Sequence, residues 1–273
     1  MKHVLCLMMG LWGAFWLHPH ALGASCQTSH FVTHVPDGPG WDAQVFACQL
    51  GEQLEEARRD VLSAFGAITA APVLPARIEV VVAESTEHFA RRTGSTPWHS
   101  AFISTDRLML QPVPVLTRLA DLEATLRHEL AHPLVEEAAG RNAPRWLVEG
   151  VVMHVAGERP SGYPAGLSTP LSLAHMEEVE RVLLSARSGP GETRRAYREA
   201  YYAVERLIEH LGGDSGSLEE GLERLLSALC ALRSTPFRAW TPGGASVGQI
   251  LSGRGEVFEG KADQVDCSPG HAP

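Results

Sequence analysis

Arg127-His128-Glu129-Leu130-Ala131-His132-Pro133 sets two histidines four residues apart around a glutamate, inside a stretch from Thr117 to Ala139 whose spacing predicts a helix ended by Gly140. Residues four apart on a helix lie one turn above each other, so both imidazoles leave the same face and can hold one metal ion. Glu129, beside the first histidine, can reach a water held by that ion. Neutral imidazoles suit zinc, and a catalytic zinc keeps a fourth position for water. Pro133 lacks the amide that would bond the Glu129 carbonyl, which predicts a bend or distortion at the end of the motif.

Working outward, Pro144 opens a second helical segment from Arg145 to Ala156, ended by Gly157. It contains Trp146-Leu147-Val148-Glu149-Gly150-Val151-Val152-Met153, one carboxylate in an almost wholly apolar run. Burying a lone carboxylate is expensive, so Glu149 requires a cation, a strong hydrogen-bond partner or a proton. A metal at His128 and His132 is one such cation; Arg145, one turn earlier, is another. Helical spacing continues over Ser172 to Arg187, Arg194 to Leu211 and Leu218 to Leu232, after a loop between Pro160 and Pro170. Upstream the pattern differs. Phe31 to Val35, Arg77 to Ala83, Ala101 to Thr105 and Arg107 to Gln111 read as strands, separated by a long helix from Trp41 to Phe65 and a short one from Glu84 to Arg92. Strands first and helices after argue for an α+β fold, a small sheet packed on a helical half.

The chain has 273 residues, 44% apolar and 20% charged, enough to bury a core. With 23 Lys plus Arg against 32 Asp plus Glu its formal charge is −9, and no basic run is present to track a phosphate backbone, which excludes nucleic acid as an expected partner. The acidic balance leans toward basic substrates. Residues 1–24 read as a signal peptide: Lys2 and His3, an apolar run from Val4 to Leu17, then Ala21-Leu22-Gly23-Ala24. That run is 14 residues long, against the roughly 20 that span a bilayer, so no transmembrane segment is expected. The reading is an exported protein, periplasmic or secreted, with residues 25–273 as a single domain. Cys26, Cys48, Cys230 and Cys267 then remain for two disulfides. Three pairings are open, of which Cys26 with Cys48 and Cys230 with Cys267 closes the shortest loops.

The two motif segments, together with Ala196-Tyr197-Arg198-Glu199-Ala200-Tyr201-Tyr202-Ala203-Val204-Glu205-Arg206-Leu207-Ile208, resemble the gluzincin metallopeptidases, most closely the peptidase-MA-like family of exported bacterial proteins. The resemblance covers most of the mature chain. It implies a zincin-like (thermolysin-type) fold, with a small N-terminal mixed β-sheet packed on a helical half that carries the His-Glu-x-x-His helix. It also implies one zinc per chain held by His128, His132 and Glu149, with Glu129 as general base in the hydrolysis of peptide or protein substrates. The helix with the tyrosines is where the family places a donor to the oxyanion; Tyr201 is the first candidate and Tyr197 the second. Met153 stands where gluzincins commonly carry an acidic residue that orients a ligand histidine, so that support has to come from elsewhere. His154, off the ligand face, reads as structural. His99, beside Trp98 and before a short strand expected along the cleft, is a candidate substrate contact by β-augmentation. A reading of another class is a catalytically silent scaffold that keeps zinc for structure. Glu129 separates the two, because a structural site needs no base beside the metal and closes its fourth position with a protein ligand.

Overall fold

The computed structural model describes residues 23–66, 73–104, 106–119, 122–160, 171–185, 187–213, 217–233, 235–242 and 245–252. Its sheet is built from β1 (Gly23–Gln27), β2 (Phe31–Pro36), β3 (Ile78–Val82), β4 (Ala101–Ser104) and β5 (Arg107–Leu110) in the order β1-β2-β3-β5-β4. The two outer pairs are antiparallel hairpins, whereas β2-β3 and β3-β5 run parallel. Parallel neighbours need a crossover connection. The first is α1 (Ala43–Ala64), which lies on β1 and β2; α2 (Thr86–Thr93) follows β3 before the chain returns through the β4-β5 hairpin. In β2 and β3 every second residue is buried, the period of a sheet with one face in the core.

The remainder is helical: α3 (Val113–Leu116), α4 (Leu122–Ala139), α5 (Arg145–Val155), α6 (Leu173–Leu184), α7 (Pro190–Gly212), α8 (Leu218–Leu229) and α9 (Val247–Leu251). α4 packs against α1 and β4 on the sheet side and against α5 on the helical side, and α5 packs in turn on α7. One apolar cluster runs through both halves, from Phe31 and Leu50 through Leu130 and Val151 to Leu207 and Leu251. A mixed sheet followed by a helical half is the α+β arrangement expected from the sequence.

Three elements were not foreseen: α3, β1 and α9. β1 carries Gly, Ala and Ser rather than β-branched residues, and its place in the sheet comes from its pairing with β2 and from the disulfide between Cys26 and Cys48 on α1. α9 arises in a turn-rich stretch through a Ser246/Gln249 capping box. Cys230 is also disulfide-bonded; Cys267, the loop after Pro160 and residues 1–22 lie outside the described residues. Gly23 and Ala24, the last residues of the expected signal peptide, belong to β1. No helix among the described residues is long and apolar enough to cross a membrane.

Candidate metal centre

α4 carries His128, Glu129 and His132, and runs on through Pro133 to Ala139 without a break. The distortion that Pro133 predicted does not separate the histidines: their Nε2 atoms are 3.2 Å apart. α5 brings the third group. Glu149 is 1% exposed, and its Oε2 lies 3.5 Å from His128 Nε2 and 3.6 Å from His132 Nε2. Two atoms bonded at about 2.05 Å to a tetrahedral ion stand roughly 3.3 Å apart, so this triangle has the size of three ligands around one zinc. No fourth histidine, cysteine or carboxylate joins the three among the described residues.

The polar atoms of the triangle fit a cation. Glu149 Oε2 is buried without a hydrogen-bond partner; such an orphan costs on the order of 1–3 kcal/mol unless a ligand satisfies it. The other carboxylate oxygen is occupied. Arg145 Nη2 donates to Glu149 Oε1 at 2.7 Å, and the Tyr197 hydroxyl donates to the same oxygen at 3.5 Å. The two partners that the sequence offered Glu149, a metal between the histidines and Arg145, therefore face different oxygens and do not exclude each other. Burial alone would push the Glu149 carboxyl up, but His132, His128 and Arg145 outweigh it and hold it well below the usual carboxylate range. Burial would likewise lower His128, yet the carboxylates of Glu149 and Glu158 beside it hold it well above the usual histidine range. The group thus demands positive charge between its members, as a proton or as a metal ion.

The support that Met153 withholds comes from a residue the sequence did not mark. Gly157, at φ 70°, closes α5: its amide donates to His154 O and the amide of Glu158 to Met153 O, the paired bonds of a Schellman cap. That reversal returns Glu158 to α4, where its Oε2 accepts from His128 Nδ1 at 3.2 Å. A carboxylate only accepts, so Nδ1 carries the hydrogen and Nε2 is left to face Glu149. Glu136, one turn after His132, sets its Oε1 3.5 Å from His132 Nδ1 and also binds Arg145 Nη1 at 2.9 Å. At the other end of α5 the amides of Arg145 and Trp146 donate to the two oxygens of Glu180 on α6, at 2.9 and 3.0 Å, so the helix that carries Glu149 is held at both ends.

A cavity of about 940 Å³ opens over the triangle, lined among others by His99, Glu129, Arg145 and Tyr197 and by β4. Glu129 makes no hydrogen bond or ion pair among the described residues; burial pushes its carboxyl up against the pull of His132 and His128. His99 is held by buried Gln111, whose Nε2 donates to the carbonyls of His99 and Pro97 at 2.8 and 3.0 Å.

The two tyrosines go to different places. Gly150 lets α5 approach α7 so closely that a Cβ there would stand 2.4 Å from Val204 Cγ2 and 2.6 Å from the Ala200 carbonyl. In that crossing Tyr197 reaches Glu149 and lines the cavity, whereas Tyr201 stacks on His154 with ring centroids 4.1 Å apart and does not line it. Burial, then Glu149, pushes the Tyr197 hydroxyl well above its usual pKa. His154 donates from Nε2 to the Tyr201 carbonyl at 3.2 Å, a packing role off the ligand face. No protein-family model matches this chain, and no curated protein matches it.

Proposed function

We propose that this chain is an exported zinc metallopeptidase of zincin-like fold, periplasmic or secreted, that hydrolyses peptide bonds in peptide or protein substrates and holds one zinc per chain on His128, His132 and Glu149. The observation that carries the reading is the triangle of ligand atoms at 3.2, 3.5 and 3.6 Å beside a glutamate that keeps its carboxylate free of protein partners on an open cavity. When bound, zinc supplies a Lewis acid that polarises a carbonyl oxygen and acidifies water. Glu129 takes a proton from the attacking water at its carboxylate and passes it to the departing amine nitrogen. Its raised pKa suits both steps, since a base closer to neutrality also returns the proton. The Tyr197 hydroxyl, held protonated, donates to the scissile oxygen as charge develops there. Tyr197 is favoured over Tyr201 because it lines the cavity. Arg145 fixes Glu149 Oε1 so that Oε2 faces the histidines, while Glu158 and Glu136 aim the imidazoles.

A free base and three ligands instead of four favour hydrolysis over a silent zinc scaffold. Elemental analysis of the purified protein, beside Glu149→Ala and Glu129→Gln, tests this with a broad peptide library as substrate. The expected result is one zinc, lost in Glu149→Ala; Glu129→Gln keeps the zinc and loses hydrolysis by about 10²- to 10⁴-fold. Zinc without hydrolysis of any library peptide would support the scaffold instead. No zinc after supplementation would remove both readings.

A further inference from the structure

Tyr197 lines a second cavity, of about 600 Å³, whose wall also carries Glu158, Arg159, Arg194, Arg195 and Arg198. Four guanidinium groups at one hollow are unusual in a chain of formal charge −9. Arg194 and Arg198 sit one turn apart on α7, a spacing at which like charges repel by a few tenths of a kcal/mol. Neither makes a hydrogen bond or ion pair among the described residues, although Arg198 is half-buried. Arg195 is paired with Glu199 at 3.1 Å, and the carboxylate in the wall, Glu158, has its Oε2 on His128. Arg194 and Arg198 therefore leave positive charge in excess at this cavity, next to the metal centre and separated from it by Tyr197 and Glu158.

We propose that this cavity is a recognition subsite for a carboxylate side chain of the bound peptide, so that the protein selects substrates with Glu or Asp close to the scissile bond. A planar guanidinium matches a carboxylate with two parallel hydrogen bonds, and a partly buried one is screened less than a surface charge. The shared Tyr197 ties the subsite to the peptide: a side chain seated among the arginines belongs to a chain whose backbone passes the metal triangle. The overall acidity of the protein would favour basic substrates at long range; the local arginines set the opposite preference at this one position. The inference rests on the hydrolase reading above for its kinetic consequence, but not for binding.

The test uses fluorogenic peptides identical except for Glu, Gln or Lys, placed in turn at each of three positions on either side of a central bond. With zinc-loaded protein, kcat/KM at one position should favour Glu by about 10- to 100-fold. The preference should shrink with added salt, fall to about one in the double variant Arg194→Ala/Arg198→Ala, and turn toward Lys in Arg198→Glu. In parallel, binding of the same peptides to Glu129→Gln protein is read by fluorescence anisotropy. If no peptide is cleaved but Glu peptides still bind about tenfold tighter than Gln peptides, in a manner that Arg198→Glu abolishes, the hydrolase reading falls and the subsite stands. A Glu/Gln ratio of one at every position in both assays, or a ratio that the arginine variants leave in place, overturns the subsite.

Discussion

Thr33, under α1, and Glu149, between α4 and α5, are both buried polar residues, and the two regions treat them in opposite ways. Thr33 Oγ1 lies 2.8 Å from the Ala47 carbonyl and 3.1 Å from that of Cys26, which knits strand to helix. Nearby, Glu55 accepts from the Thr28 hydroxyl, the His30 amide and His30 Nδ1, each at 2.7 Å. On the helical side Glu149 Oε2 has no hydrogen-bond partner although the groups around it are tightly placed. A satisfied buried group holds the fold, and an unsatisfied carboxylate oxygen facing two imidazoles leaves a place for a cation. The groups around Thr33 and Glu55 thus act as support, and the groups around Glu149 as the candidate chemical centre.

Three measurements would break or sharpen that contrast. The largest effect is expected from replacing both Cys26 and Cys48 with Ser, which opens a link spanning a sequence separation of 22. Loop entropy puts the loss of stability at about 3 kcal/mol, readable by urea unfolding, while zinc affinity stays as it was. A fall in zinc affinity as well would show that the sheet side shapes the metal centre directly. Glu158→Ala should do the reverse: zinc affinity measured against a competing chelator drops by about 10- to 100-fold, and the unfolding midpoint of the metal-free protein barely moves. An unchanged affinity would leave Glu158 as a bystander. The smallest effect concerns His154. Burial lowers its pKa from 6.5 to about 4, so the native state stays unprotonated there while the unfolded chain takes up a proton. Stability is therefore complete above pH 6.5 and falls as the pH drops toward 4, by up to about 1.4 kcal/mol per pH unit for this one group. His154→Phe, which keeps a ring against Tyr201, should flatten that slope by one proton; an unaltered slope would assign the acid sensitivity to other groups.

How far the sequence could be read depends on the kind of signal each residue leaves. His128 and His132 declare themselves by spacing, and Glu149 by being the lone charge in an apolar segment, because helix periodicity and the cost of a buried carboxylate are local properties. The strand-then-helix order was legible for the same reason. Glu158 was not, since it reaches His128 only after the chain reverses at Gly157; a glycine followed by glutamate at the end of the second helix is the faint signal that could have found it. The choice between Tyr197 and Tyr201 was also out of reach. Four residues apart, they share a helix face in any wheel diagram, and only the close crossing permitted by Gly150 decides which one meets Glu149. β1 escaped notice because its pairing comes from partners elsewhere in the chain and its own residues have low strand preference.

The Schellman turn at Gly157 makes α5 a ruler. Its 11 residues hold Glu149 at mid-length and deliver Glu158 at a fixed offset beyond the far end, both onto the same imidazole. A single inserted or deleted residue between them would turn the second carboxylate by about 100° and shift it by about 1.5 Å, far more than most substitutions could. Relatives of this chain should therefore tolerate changes of residue type along α5 while keeping its length, and a search pattern that fixes the interval from Glu149 to the Gly-Glu pair should find them more reliably than residue identity does.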